Sequence, residues 1–435
     1  MSSALIIVIS AVVLQTPATP KGSAPVIPIN LDESKVHPYT LPDPLTTLDG
    51  RKVSSKTDWT TRRAELLALF ESQVYGKFPA PPHPITPRYR VRSENIEALG
   101  GKALRREIAI EFTPRDDGPG MDLVLYIPKV TPRAPVFLGY NFSGCQTLED
   151  DPTITPSRSS HDPKARANAQ AAAKQARGAD RASWPLERII ARGYAVATAC
   201  YSDIDPDYDD GFANGVHPLF YQSGQTRPAA DEWGSIGAWA WGLSRALDYL
   251  ETVSEIDPRR VALMGHSRLG KCALWAGARD ERFALVVSLQ SGCGGAALSK
   301  RDFGENVARI NTSFPHWFCT NFRQYNGHED ALPIDQHELI ALIAPRPVLV
   351  CSAAGDSWAD PRGEFLAAQA ADPVYRLLGT DGLATPEMPE AAPRQLIKST
   401  IGYHIRPGGH AVTSDDWDVL MDFADIHLGA KPGSR

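Results

Sequence analysis

A strand that passes into a helix through a single serine-bearing turn constrains this chain more than any other feature. In RRVALMGHSRLGKCALWAGARD, residues 259–280, the apolar run from Val261 to Met264 reads as a buried strand. The stretch from Leu269 to Ala278 reads as a helix, and only Gly265, His266, Ser267 and Arg268 lie between them. So short a connection forces a sharp turn. It lifts the Ser267 side chain off the strand end and leaves the first backbone N–H groups of the helix free to face an anion. Two such elements cross closely, which calls for residues without a Cβ, and Gly265 and Gly270 flank the serine.

The same alternation recurs on both sides. PLERIIARGYAVATACY (185–201) reads as a helix, a glycine stop and a buried strand, and GSIGAWAWGLSRALDYLETV (234–253) as a long helix. FALVVSLQSG (283–292) and RPVLVCSAAGD (346–356) read as further buried strands. Apolar strands alternating with helices predict a mostly parallel sheet covered on both faces, a three-layer αβα sandwich of the α/β class. Upstream, DWTTRRAELLALFESQVYGKFP (58–79) reads as a helix with Asp58 as N-cap. ALRREIAIEF, MDLVLYIP and APVFLGYNF read as strands. An Ala-rich polar stretch, residues 157–183, reads as a surface insert within the region near 150–185. No linker follows residue 60, so residues 25–435 are expected to form a single domain.

The first residues carry an apolar run from Ala4 to Leu14, too short to span a bilayer and of the length of a signal-peptide core, with Ala18 and Ala24 behind it. No Lys or Arg precedes the run. Residues 1–24 are therefore expected to be a secretory signal, and the mature chain to be secreted or periplasmic without a membrane segment. A formal charge of −6 lacks the basic excess of a nucleic-acid binder. The six cysteines form no C-x-x-C pair, and several lie in apolar runs, which favours free buried thiols over a zinc site. The acidic DIDPDYDDG lacks the distal glutamate of a calcium loop. No metal or cofactor is expected.

Strand, G-x-S turn and helix are the context of the nucleophile elbow of α/β-hydrolases, G-x-S-x-G, except that Leu269 holds the fifth position and the glycine follows at Gly270. Ser267 is the candidate nucleophile; its other reading is a helix N-cap. In this fold the acid and then the base follow the serine. His410, in the loop RPGGHAVTSDDW between the last strand and the last helix, is the candidate base. His404 reads as structural and His427 as a surface residue, while His316, His328 and His337 lie between strands where they could touch a substrate. Asp356, at the end of the strand RPVLVCSAAG, is the candidate acid, and Asp360 reads as a structural loop carboxylate. The preceding strand ends in Gln290 and Ser291, and an amide cannot stabilise an imidazolium as a carboxylate does.

Taken together, GHSRLGK, SGCGGAALSKRDFGE, GDSWADPRGEF and GGHAVTSDDW resemble the bacterial glucuronoyl esterases, carbohydrate esterase family fifteen. NFSGC and DIDPDYDDGFANGVHPLF resemble further stretches of that family, and the likeness runs from about residue 60 to the end. Family members carry G-x-S-R-x-G-K, so the late glycine is a family variant. The resemblance implies an α/β-hydrolase fold and cleavage of the ester between glucuronic acid on xylan and an alcohol of lignin. It implies Ser267 as nucleophile, His410 as base, and Arg268 as support for the oxyanion. The family's acid stands either at the position of Gln290 or at that of Asp356; this chain keeps only the second. Lys271, Glu305 and Trp358 match residues that bind the sugar. The implied substrate is a glucuronoxylan–lignin ester, and the chain is expected to be a monomer. Two other readings stay open: a general or acetyl-xylan carboxylesterase on the same fold, and a carbohydrate-binding protein without activity.

Overall fold

The computed structural model describes residues 27–115, 118–158, 176–383, 385–392 and 396–429. The expected signal, and residues 159–175 of the expected insert, lie outside the described residues. Among the described residues nine strands form one sheet: β1 (Arg88–Glu97), β2 (Ala103–Glu111), β3 (Gly120–Pro128), β4 (Ala134–Asn141), β5 (Ala195–Cys200), β6 (Ile256–His266), β7 (Leu285–Leu289), β8 (Val348–Ala353) and β9 (Ile401–Arg406). Their order is β1-β2-β3-β5-β4-β6-β7-β8-β9. The strands from β5 through β4 to β9 pair in parallel, and β1, β2 and β3 join antiparallel at one edge.

Every residue of β4, β5, β7, β8 and β9 is buried, as a parallel sheet covered on both faces requires. Helices α1 (Lys56–Phe70), α2 (Leu186–Ala191), α3 (Ser235–Leu250), α4 (Arg268–Arg279), α5 (Val307–Ser313), α6 (Gln336–Ala341), α7 (Pro361–Leu377) and α8 (Ser414–Leu428) complete the layers. Alternate strand residues divide between two cores. Val136, Leu138 and Val286 pack in the core that holds α3, α4 and α7, while Phe137, Met264 and Leu349 pack in the one that holds α2 and α8. The α/β-hydrolase architecture expected from the sequence is the one observed.

Two local expectations are corrected. Helix α1 starts a turn earlier than expected. Ser55, not Asp58, is its N-cap: Ser55 Oγ accepts from the Asp58 N–H at 3.1 Å, and Asp58 Oδ2 accepts from the Ser55 N–H at 3.0 Å. Asp58 thus closes a capping box instead of opening the helix. His427, expected at the surface, is half-buried, with its ring 4.4 Å from that of Phe423 and Nε2 3.2 Å from the Ser399 carbonyl. All six cysteines are free and buried.

Candidate active site

The carboxyl ends of β6 to β9 converge, and each delivers one residue. Ser267 follows β6, Gln290 follows β7, Asp356 lies three residues past β8 and His410 four past β9. Ser267 holds φ 58° and ψ −129°, a strained backbone for a residue with a side chain. The turn is tied down by the Ser267 N–H donating to the Leu289 carbonyl at 2.9 Å. A Cβ on Gly265 would stand 2.0 Å from the Leu269 carbonyl oxygen, and one on Gly270 would stand 2.9 Å from Ser291 Cβ. The chain is thus tight at the glycine before the serine and again three residues after it. That places the second glycine of this elbow at 270 and lets Leu269 turn into the core.

Ser267 and His410 line a cavity of about 280 Å³ together with Asp356. Asp356 Oδ2 lies 2.6 Å from His410 Nδ1, and the carboxylate is buried while the imidazole is exposed on one side. That contact fixes the ring with Nδ1 protonated and Nε2 free to accept a proton. Gln290 takes no part in it. Its carboxamide oxygen lies 3.1 Å from His266 Nε2 and accepts from the Ala411 N–H at 3.0 Å, so it anchors the loop that carries His410. Burial and the neighbouring His410 push the His266 imidazole down to about 3. His266 is therefore a neutral ring packed 4.5 Å from that of His410.

Arg268 opens α4 beside the serine. Its guanidinium pairs with Asp207 and lies 4.8 Å from the Trp317 ring, 5.4 Å from Phe314 and 5.9 Å from Phe142. Asp207 is the hub of this arrangement. It also takes His316 Nε2 at 2.9 Å, Trp317 Nε1 at 2.7 Å and Tyr201 Oη at 2.7 Å. Burial alone would raise the Asp207 carboxyl; the donors His316 and Tyr201, with the Arg268 charge, outweigh it and hold the group below the usual carboxylate range. A cation at a helix N-terminus is disfavoured by the helix dipole. Here an aromatic cage and the paired Asp207 carboxylate offset that cost, leaving a fixed positive charge on the serine's rim.

Lys271 is buried, not a solvated helix lysine. Its ammonium donates to the Ser291 carbonyl at 2.6 Å and the Cys293 carbonyl at 2.7 Å, and lies 3.5 Å from Glu305 Oε2. An ammonium has three donors, so two are spent on main chain and the third meets a long partner that a hydroxyl could replace. The Glu305 N–H donates to the Trp358 carbonyl at 2.9 Å, which sets both residues on one rim. Glu305 is buried and Trp358 is 38% exposed, its ring 5.8 Å from the Arg309 guanidinium. All seven expected site residues line this one cavity. Asp360 lies apart: it caps α7 and accepts from Arg301 Nε at 2.9 Å. His404 is buried within β9, and His328 and His337 do not line the cavity.

Sequence reasoning did not find Asp207, Phe314 or Trp317, and took His316 only as one of three histidines that could touch a substrate. They come from two loops 107 or more residues apart in sequence, and only the fold brings them to Arg268. The acidic run around Asp207 was the available signal. Among the described residues no group of three or more His, Cys, Asp or Glu is arranged to hold a metal ion.

Residues 188–379 match the family model described as glucuronyl esterase, fungi. The chain is 51% identical over 433 residues to carbohydrate esterase MZ0003 from an unknown prokaryotic organism, covering 98% of each chain. It is 30% identical over 390 residues to a 4-O-methyl-glucuronoyl methylesterase of Cerrena unicolor, covering 83% of this chain and 68% of that one. Among solved structures, a glucuronoyl esterase from Solibacter usitatus superimposes with a TM-score of 0.83 at 44% identity, over 92% of this chain and 100% of that one.

Proposed function

The chain belongs to the glucuronoyl esterases of carbohydrate esterase family fifteen, and on that premise we propose that it hydrolyses esters between glucuronic acid on xylan and the alcohols of lignin, with Ser267, His410 and Asp356 as its triad. It is a carboxylic ester hydrolase. The observation that carries the reading is the 2.6 Å contact of Asp356 with His410 on the cavity that also holds Ser267, Lys271, Glu305 and Trp358.

In this mechanism His410 Nε2 takes the Ser267 proton and Oγ attacks the C6 ester carbonyl. Backbone N–H groups at the start of α4 and the Arg268 charge stabilise the oxyanion. The tetrahedral intermediate collapses, His410 returns the proton to the leaving alkoxide, and the alcohol departs. Water, deprotonated by His410, then releases glucuronate and restores the serine. Glu305 accepts hydrogen bonds from sugar hydroxyls beside Lys271, and the Trp358 ring offers a flat apolar face to the sugar. The mature chain is read as a secreted or periplasmic monomer starting near residue 25. No helix among the described residues is long and apolar enough to cross a membrane.

The test is hydrolysis of benzyl glucuronate, benzyl galacturonate and 4-nitrophenyl acetate by the wild type, Ser267→Ala and Asp356→Asn. The expected result is a strong preference for glucuronate that both variants abolish. Equal rates on acetate would make the protein a general esterase, and a Ser267→Ala variant with full activity would sink the triad.

A further inference from the structure

We propose that Glu33, in the segment that precedes the first helix, is a positioning residue for the sugar site: it clamps together the two loops that carry Glu305 and Trp358. The inference rests on the uronate-esterase reading above. Glu33 opens a single helical turn, Glu33–Lys35, that Asp32 caps. Its carboxylate reaches two arginines at once. Oε2 accepts from Arg301 Nη2 at 2.8 Å, and Oε1 lies 3.3 Å from Arg362 Nε. Arg301 stands four residues before Glu305, and Arg362 four residues after Trp358. One carboxylate near the start of the chain therefore bridges two loops that are far from it in sequence.

The residues beside Glu33 repeat the contact. The Gly304 N–H donates to the Asn30 carbonyl at 2.8 Å, and Asn306 Nδ2 donates to the Pro28 carbonyl at 3.3 Å. Gly304 and Asn306 flank Glu305, so the segment is bonded to the loop on both sides of that glutamate. Gly304 holds φ 67°, and a Cβ there would stand 2.5 Å from the Trp358 carbonyl oxygen. The two loops thus touch at Gly304, where only a glycine fits. None of residues 28–33 lines the catalytic cavity, so the segment acts on the sugar only through the loops it holds.

The strength of the clamp lies on the Arg301 side. The Arg301 side chain is 3% exposed and that of Arg362 is 59% exposed. A charge-assisted bond to a buried guanidinium outweighs a pair in open solvent. Arg301 also donates through Nε to Asp360 Oδ2 at 2.9 Å, so it keeps one carboxylate when Glu33 is lost. Glu33 itself is half in solvent, and its replacement leaves the core untouched. What changes is the position of Glu305, which must stand within hydrogen-bond reach of the sugar hydroxyls. Those bonds form with the bound substrate and persist in the transition state, so their loss raises KM and spares kcat.

The test is steady-state kinetics of the full chain carrying Glu33→Gln or Glu33→Lys, on benzyl glucuronate and on 4-nitrophenyl acetate, which has no sugar to position. The amide keeps an acceptor for Arg301 but not the charge, and the lysine repels both arginines. Glu33→Gln is expected to raise KM for benzyl glucuronate about threefold and Glu33→Lys about tenfold, with kcat within about twofold of the wild type and the acetate rate unchanged. A wild-type KM in Glu33→Lys, or an equal fall on both substrates, overturns the clamp. Hydrogen exchange supplies a readout that needs no turnover. The Gly304 amide should exchange faster in Glu33→Lys than in the wild type, and equal exchange overturns the proposal. Failure of the wild type to hydrolyse benzyl glucuronate would overturn the uronate-esterase reading alone, and exchange at Gly304 would still decide the clamp.

Discussion

Gln290 and Asp356 follow neighbouring parallel strands, and only Asp356 reaches His410. The Gln290 N–H donates to the Cys351 carbonyl at 2.7 Å, so the two strand ends are bonded together, yet their side chains diverge. Gln290, at φ 47°, turns its amide to His266 and the Ala411 N–H, and Asp356 turns its carboxylate to Nδ1 of His410. One strand end holds the loop that carries His410, and the other holds its ring.

Asp356→Asn is therefore expected to lower kcat by about 10³–10⁴ with little change in KM, because the amide would favour the wrong tautomer and cannot stabilise the imidazolium. Steady-state kinetics on benzyl glucuronate, with thermal unfolding as a control for folding, give the answer. A variant retaining half of the wild-type kcat would mean that the acid lies elsewhere.

Arg268→Met should cost about 10²–10³ in kcat, the scale of one oxyanion donor. Asp207→Asn should cost less, about tenfold, because Trp317 and Phe314 still cage the guanidinium while its ionic partner is lost. Equal losses in the two variants would mean that Asp207, and not the cage, fixes Arg268.

Lys271→Met and Glu305→Gln are expected to reduce kcat/KM for benzyl glucuronate by about 10² while 4-nitrophenyl acetate changes by far less, since a site built to hydrogen-bond hydroxyls discriminates through those bonds. The ratio of the two substrates is the quantity to measure. A parallel fall on both would assign the pair a purely structural role.

Stability should vary with pH through Glu364. This carboxyl is fully buried beneath the Ser291–Gly292 turn, accepting from their N–H groups at 2.8 and 3.0 Å, with Ser352 Oγ 2.5 Å away. Burial pushes it up to about 8. Between about 4.5 and 8 the unfolded chain has released this proton and the folded chain has kept it, so stability falls as pH rises through that window. Buried histidines act in the opposite sense. His266, at about 3, and His337, at about 4, stay neutral in the fold while the unfolded chain takes up protons below about 6.5, so stability falls as pH drops. Urea titrations from pH 3.5 to 8 should show Glu364→Gln losing less stability than the wild type as pH rises between about 4.5 and 8, with the wild-type slope kept only below about 4.5. An identical slope in variant and wild type would show Glu364 ionised in the fold.

The elbow was legible in the sequence because strand, turn and helix are contiguous, and periodicity reports contiguous elements. His410 and Asp356 were legible because each sits at a fixed place after a readable strand. Strand β1 was not: RYRVRSENIE lies at the sheet edge, largely exposed, and carries charge where a buried strand would carry apolar residues. The Asp207 hub was not legible either, since its partners are side chains from loops distant in sequence. Lys271 shows the limit at a single position. Helical spacing predicts that it follows Ser267 on α4, but its burial depends on the Ser291–Cys293 carbonyls that meet it.

Six free thiols, all buried, stand in a chain expected to work outside the reducing cytosol. The native fold contains no cross-link to make or lose, so it should mature equally well in a reducing or an oxidising compartment. Heating in air is another matter. Once the chain opens, six cysteines meet oxygen and one another, and mispaired bridges would trap it before it could close again. For this enzyme, shelf life is set by how rarely the core opens, and a trace of reductant should turn a one-way loss into a reversible one.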